Sequence, residues 1–366
     1  MEYRAFGKTG QFASVLGFGM MRLKRKEDDT IDEAWAIETL RSAIDRGLNY
    51  LDTAYVYKDS ERVTGLCLQD GYREKVMLAS KLPVANMTCE EDFEKILEEQ
   101  LQRLQTDCID VYLLHGLNRN TWDDHIQRFH VLEHAEKAKA AGKIKYLGFS
   151  FHDSLEAFLY ILNAYDRWDM CQIQLNYMDV QYQAGLEGLR QAHEKGLAVV
   201  IMEPRRGGTL ANVPEEVASL LPRPAVESAL SFLWNMEQVS VVLSGMSETE
   251  QVEQNLSLAE NAHADMLTEK EVQQMITAGD KMRQMLSIPC TGCNYCDVCP
   301  QGISIPDIFA IRNRRQLDGD SRGAKARYKE VKVNAETCLN CGVCQEKCPQ
   351  HIAIPEKLAE IHKQLG

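Results

Sequence analysis

Leu40-Arg41-Ser42-Ala43-Ile44-Asp45-Arg46-Gly47-Leu48-Asn49-Tyr50-Leu51-Asp52 carries the end of an amphipathic helix, a glycine stop and a short apolar run that closes on a carboxylate. A glycine at that place lets the chain leave a helix through a left-handed residue at little cost. The same phrase of helix, glycine and short strand returns at Gly142 and Gly196. Reading outward in both directions, short apolar runs alternate with helical stretches. Strands are expected at 15–20, 49–52, 76–81, 109–115, 145–150, 170–176, 198–202 and 239–245. Helices are expected at 32–46, 60–69, 90–104, 123–140, 154–163, 183–195, 224–235 and 248–258, with Thr88 and Glu91 forming a capping box for the third. Eight β-then-α units in about 240 residues fit a closed α/β (β/α)₈ barrel better than an open doubly wound sheet. No G-x-G-x-x-G follows the first strand, which counts against a Rossmann domain. Residues 1–14 are expected to form a small hairpin on the barrel floor.

The 366 residues suit one large barrel plus an appendage, with 45% hydrophobic and 26% charged residues, as in an ordinary globular protein. We place the barrel and a linking helix at 1–286 and a second domain at 287–366. No apolar run is long enough to cross a bilayer, and no signal sequence opens the chain, so a cytoplasmic protein away from membranes is expected. A net charge of −13 argues against a nucleic-acid partner.

Eight of the twelve cysteines fall into two runs. The first is Cys290-x₂-Cys293-x₂-Cys296-x₂-Cys299-Pro300, and the second is Cys338-x₂-Cys341-x₂-Cys344-x₃-Cys348-Pro349. A secreted disulfide framework would spread its cysteines in pairs through a small domain, so this crowding points to metal ligation in a reducing compartment. The second run matches the bacterial ferredoxin pattern, whose fourth cysteine ligates the other cluster. The first run has two residues before its last cysteine where that pattern has three. Cys299-Pro300-Gln301-Gly302-Ile303-Ser304-Ile305-Pro306 repeats as Cys348-Pro349-Gln350-His351-Ile352-Ala353-Ile354-Pro355, an internal repeat expected of a two-cluster, α+β ferredoxin-like module. The crossing rule gives one [4Fe–4S] cluster Cys290, Cys293, Cys296 and Cys348, and the other Cys338, Cys341, Cys344 and Cys299. Zinc is the competing reading, but zinc sites need neither four cysteines in a row nor the repeated Cys-Pro. A helical insertion is expected between the halves, in 307–337.

Four polar groups stand at the ends of four strands, on the face where barrels keep their active sites: Asp52 with Tyr57, Lys81, His115 and Ser150. Alone, Asp52 and Lys81 would read as a structural ion pair and His115 as a core histidine. Together, with Tyr3-Arg4-x₂-Gly7-Lys8-Thr9-Gly10 and Leu16-Gly17-Phe18-Gly19, they resemble the aldo-keto reductase family over residues 1–260. The resemblance implies an oxidoreductase that reduces a carbonyl, or oxidises an alcohol, with a catalytic tetrad of Asp52, Tyr57, Lys81 and His115. It makes Tyr57 the acid and Tyr55 a wall of the substrate pocket. It implies Ser150, Gln172 and Asn176 around the nicotinamide, Arg205 and Gly207 at a pyrophosphate, and Gly245, Gln251 and Asn255 at the adenosine end. Members that prefer NADP carry cations where this chain has Gly245 and Gln251, so NAD is as open as NADP. FMN could use the same phosphate site. The loops 116–122 and 207–214 would shape the pocket for a small-molecule carbonyl or alcohol. A redox protein such as a ferredoxin and a second copy of the chain are the protein partners in view. Two further readings stand beside the reductase: clusters feeding electrons to a barrel-bound flavin or substrate, and a regulatory or binding subunit with an idle tetrad.

Overall fold

The computed structural model describes residues 1–366, the side chain of Asp318 excepted. A hairpin of β1 (Tyr3–Ala5) and β2 (Phe12–Ser14) opens the chain. Eight parallel strands follow: β3 (Leu16–Gly19), β4 (Tyr50–Asp52), β5 (Met77–Leu82), β6 (Ile109–Leu117), β7 (Ile144–Phe151), β8 (Met170–Gln174), β9 (Ala198–Met202) and β10 (Val241–Gly245). They close in sequence order, with β10 pairing β3. The (β/α)₈ barrel read from the alternation is the one formed.

The intervening helices are α1 (Glu33–Asp45), α2 (Ser60–Cys67), α3 (Asp92–Leu104), α4 (Val131–Ala140), α5 (Leu155–Ala164), α6 (Gly185–Glu194), α7 (Ala225–Trp234) and α8 (Thr249–Ala259). Gly47, Gly142 and Gly196 stop α1, α4 and α6 with φ of 95°, 75° and 77°. Two local expectations need correction. The Thr88–Glu91 box does not form: Glu91, at the N-cap of α3, makes no side-chain cap bond, and Thr88 N and Oγ1 donate instead to the Asp92 carboxylate at 2.7 and 2.8 Å. The helix expected over 123–140 is broken: a π-turn at Trp122–Ile126 buries Trp122 against Trp168, and His130 takes φ 48° before α4 begins.

The barrel interior is filled by alternate residues of each strand, since successive side chains point to opposite faces. Tyr50, Ala79, Leu113, Met170, Val200 and Leu243 share one buried core. Gly148 faces it too, where a Cβ would lie 2.3 Å from Met170 Sδ. Phe6 joins this core next to Tyr50, with ring centroids 5.7 Å apart, and so plugs the floor below the hairpin.

The chain divides into two compact units, Met1–Pro204 with Leu230–Leu267, and Arg205–Ala229 with Thr268–Gly366. The segment that follows β9 therefore belongs with the C-terminal unit. There Glu216 pairs with Lys281 at 2.9 Å, and Arg223 reaches Glu271 at 3.5 Å. The remaining helices are α9 (Glu269–Met285), α10 (Ile305–Asp318), α11 (Ser321–Glu330) and α12 (Ile354–Leu365). Thr268 and Glu271 form the capping box of α9. The expected helical insertion is α10 and α11. The regular elements of the cysteine module are helices; no strand follows β10 among the described residues. Runs of C-x₂-C turn too tightly to alternate in and out as a strand must. Among the described residues no helix is long and apolar enough to cross a membrane.

Candidate active site and cysteine centre

The parity that fills the barrel also places its polar end. Two residues beyond Tyr50, Ala79, Leu113, Gly148 and Met170 come Asp52, Lys81, His115, Ser150 and Gln172, at the C-terminal ends of β4 to β8. Register supports the grouping: Asp52 is level with Ala79, Lys81 with Leu113, and Ser150 with Gln172.

Lys81 is the hub. It is 1% exposed, and its Nζ donates to Asp52 Oδ1 at 2.7 Å, to the Thr53 carbonyl at 2.7 Å and to Tyr57 Oη at 3.4 Å. Its ammonium also lies 4.9 Å from the centre of the Tyr57 ring. Burial pushes the Asp52 carboxyl up while Lys81 opposes it. Asp52 Oδ2 is buried without a hydrogen-bond partner, so Lys81 is that carboxylate's side-chain support. His115 stands edge-on to Tyr57, with ring centroids 5.9 Å apart and planes at 86°. Burial, then the positive Lys81 and then His152, hold its imidazole well below the ordinary histidine range. Tyr55, expected as a pocket wall, turns its hydroxyl to Glu99 at 2.8 Å, with Arg103 stacked 4.3 Å from its ring centre. Tyr57 is thus the phenol beside the lysine.

Of the residues implied for a dinucleotide, Gln172 and Asn255 are fully buried, and Gln172 Oε1 and Asn255 Oδ1 lack hydrogen-bond partners. Buried polar atoms in that condition suit a bound ligand. Ser150 Oγ accepts from Gly116 N at 2.7 Å, which leaves its hydroxyl proton to donate. Asn176 is committed to its own loop: Oδ1 accepts from Met178 N and Asp179 N, and Nδ2 reaches the Glu203 carbonyl. Gln251 accepts from Ser247 N at 3.0 Å. Arg205 and Gly207 lie in the other unit. Arg206, between them, is 3% exposed. In the 116–122 loop, Trp122 is core and not pocket.

Sequence reading missed two features. Arg22 packs on Gly245, where a Cβ would lie 3.2 Å from that side chain, and so brings a cation to the loop after β10. Behind β5, Gln100 Nε2 donates to Glu61, Ser80 Oγ and the Lys81 carbonyl at 2.6, 2.9 and 3.2 Å, all buried. A carboxylate on the buried face of α2 was the available signal.

The cysteines fall into two sets. Burial, then Cys293, Cys290 and Cys348, push the Cys296 thiol up to about 12. Burial, then Cys299, raises Cys344, with Cys338 adding to it. The first set, Cys290, Cys293, Cys296 and Cys348, lines one cavity together with Ile305, Phe309 and Ile352. Among the described residues no three His, Cys, Asp or Glu side chains are placed to hold a single metal ion, and no disulfide forms. The backbone repeats as the sequence does. Positive φ occurs two and four residues after Cys290, at Gly292 (65°) and Asn294 (63°), and likewise after Cys338, at Asn340 (53°) and Gly342 (79°). Gly302 and His351, each three residues past a Cys-Pro cysteine, also match at 66° and 51°. Such left-handed turns aim backbone N–H groups at anionic sulfur; Gly292 N already donates to Cys290 Sγ at 3.4 Å.

Residues 15–275 match the aldo/keto reductase family, and residues 289–353 match a 4Fe-4S dicluster domain. An uncharacterized oxidoreductase of Bacillus subtilis, YrpG, is 32% identical over 232 residues, which cover 57% of this chain and 68% of the relative. The L-galactose dehydrogenase of Arabidopsis thaliana is 26% identical over 311 residues, 75% of this chain and 94% of that one. Among solved structures, the holo form of aldo-keto reductase AKR11C1 from Bacillus halodurans superposes with a TM-score of 0.64 at 28% identity, covering 76% of this chain and 96% of that chain. With the family model spanning residues 15–275, this chain belongs to the aldo/keto reductase family of oxidoreductases and bears a C-terminal 4Fe-4S dicluster domain.

Proposed function

We propose that the barrel reduces a small-molecule carbonyl, or runs the reverse oxidation of an alcohol, with NAD or NADP. The observation that carries this reading is the contact of Lys81 Nζ with both Asp52 and Tyr57. A reduced nicotinamide, when bound, supplies the hydride. Tyr57 gives its proton to the oxygen on which negative charge develops. A phenol with an ordinary pKa near 10 is a reluctant donor at neutral pH, and the Lys81 ammonium stabilises the phenolate left behind. Asp52 fixes Lys81 in place through their 2.7 Å contact. His115, held neutral by its surroundings, orients the carbonyl oxygen by a hydrogen bond and leaves the proton transfer to Tyr57. The unsatisfied Gln172 Oε1 and the Ser150 hydroxyl suit the nicotinamide carboxamide; Asn255 and Arg22 suit the adenosine and phosphate end. In the C-terminal unit, two [4Fe–4S] clusters take Cys290, Cys293, Cys296 and Cys348, and Cys338, Cys341, Cys344 and Cys299.

A second reading, in which the clusters pass electrons to a flavin or substrate in the barrel, is favoured by one observation: the segment after β9 groups with the cysteine unit.

Tyr57→Phe tests the first reading. Turnover with a carbonyl and reduced nicotinamide should fall about 10²- to 10⁴-fold, while the dinucleotide dissociation constant stays near the wild-type value. Near wild-type turnover would remove Tyr57 from the mechanism.

A further inference from the structure

A chain of net charge −13 carries one strongly basic stretch. Between Arg312 and Lys332 eight lysines and arginines face three carboxylates. This stretch is the insertion that separates the two cysteine runs, folded as α10 and α11. On α11 the charges are sorted by face. Ala324 and Tyr328, four residues apart, are buried in the core that also holds Cys296 and Cys344. Arg322, Lys325 and Lys329 recur at steps of three and four on the opposite side and are exposed. None of these three has an ion-pair partner among the described residues, whereas Arg327 turns back to Asp320 and Arg315 to Ser321 and Gln364.

The position of these charges gives them a use. Ile305, Pro306 and Phe309, in the first turns of α10, line the cavity among Cys290, Cys293, Cys296 and Cys348. Arg312 comes one turn later, about 5 Å further along the axis. α10 is thus part of the wall around the first cysteine set, and α11 packs on the core that holds Cys296 and Cys344.

We propose that this basic helix pair, through Arg322, Lys325 and Lys329, is the docking surface for a small acidic one-electron carrier protein. Iron–sulfur centres exchange single electrons and nicotinamide exchanges two as hydride, so the cluster domain needs a partner of its own kind. Charge and chemistry together select its class: a basic face attracts an acidic partner, and a centre that exchanges single electrons gives a redox protein, rather than a nucleic acid, something to do there. In the exchange a reduced carrier is oxidised by one electron and the cluster domain is reduced by one; no bond forms or breaks. The inference rests on the cluster domain and not on the barrel's reaction, so hydride transfer to a carbonyl stands or falls separately.

The test uses holoprotein and an acidic flavodoxin as probe, in two measurements. One is the dissociation constant for oxidised flavodoxin. The other is the second-order rate at which flavodoxin hydroquinone becomes semiquinone on mixing. Raising salt from about 20 mM to about 500 mM should slow the wild-type reaction about tenfold or more. The variant R322E/K325E/K329E should start that much slower, bind flavodoxin correspondingly less well and show little salt dependence, while dithionite reduces its clusters at the wild-type rate. The milder R322Q/K325Q/K329Q should fall between, and it carries the test if the charge reversal assembles poorly. Equal rates, affinities and salt slopes in wild type and the glutamine variant would overturn the proposal. So would tighter binding of a single-stranded oligonucleotide than of flavodoxin, lost in the same variants.

Discussion

Gly207 lies against the backbone of Thr291: a Cβ built on this glycine would sit 1.9 Å from the Thr291 carbonyl oxygen. Gly207 belongs to the turn that follows β9, and Thr291 follows the first cysteine of the cluster runs. The two cannot separate without disturbing a cysteine loop, and Gly207 also takes φ 64°, which side chains resist. Gly207→Ala should therefore destabilise the C-terminal unit by about 2 kcal/mol or more, combining backbone strain with overlap. Gly208→Ala is the control. Its φ is 98°, but nothing lies within 4 Å of its Cβ, so only the backbone cost of about 1 kcal/mol remains. Urea unfolding followed by cluster absorbance measures both; equal losses would mean that the Thr291 contact carries no weight.

The buried pair predicts an asymmetry between single and double changes. Lys81→Met leaves Asp52 buried with Oδ2 already unsatisfied, and breaking a buried pair from one side costs about 3–5 kcal/mol. Asp52→Asn with Lys81→Met removes both charges and should recover most of that loss while turnover stays absent. Chemical denaturation of the single and double variants, set beside their turnover, checks this. If the double variant is as unstable as Lys81→Met, the loss comes from packing and not from the stranded charge.

His115 gives a pH dependence with a definite sign. Its folded-state value is held well below the ordinary range by burial first, then by Lys81 and His152. Below about 6.5 the unfolded chain binds a proton there that the folded chain refuses. Stability is therefore present above that pH and is lost as pH falls below it. His115→Gln cannot titrate, so wild type should lose stability relative to this variant between about pH 7.5 and 5.5. A constant difference in melting temperature across that range would show that His115 does not supply the dependence.

Much of this was legible because strand alternation is a local rule. The run from Tyr50 to Asp52 contains its own statement of which residue fills the barrel and which stands at its mouth, and so do Ala79 to Lys81 and Leu113 to His115. The cysteine runs are similar: the repeated sequence after Cys299 and Cys348 returns as repeated φ values at Gly302 and His351. What was not legible depends on partners far away in the chain. Thr88 bonds to Asp92 and not to Glu91 because its backbone N–H and hydroxyl both turn toward the Asp92 carboxylate. Tyr55 leaves the tyrosine pair because Glu99 and Arg103 are one helix away. The affiliation of Arg205–Ala229 with the C-terminal unit rests on contacts such as Gly207–Thr291 and Glu216–Lys281, between residues more than 60 positions apart. No pattern within the segment announces it.

The last prediction decides how the eight cysteines divide. The crossed assignment puts Cys348 with Cys290, Cys293 and Cys296, in keeping with the cavity these four line. It puts Cys299 with Cys338, Cys341 and Cys344, in keeping with the influence of Cys299 on the Cys344 thiol. An uncrossed assignment would keep each run to itself. Iron content of paired variants separates the two. In the crossed case Cys296→Ala with Cys348→Ala strikes one centre twice, and about four of about eight iron atoms should remain. Cys344→Ala with Cys348→Ala strikes both centres, and nearly all iron should be lost. In the uncrossed case the results exchange: the first pair empties both centres and the second spares one. Measuring iron per chain after anaerobic reconstitution, with circular dichroism to show that helices α9 to α12 persist, gives the answer. Retention of four iron atoms by the Cys344/Cys348 pair would overturn the crossed assignment, because it requires the second run to supply all four ligands of its own centre.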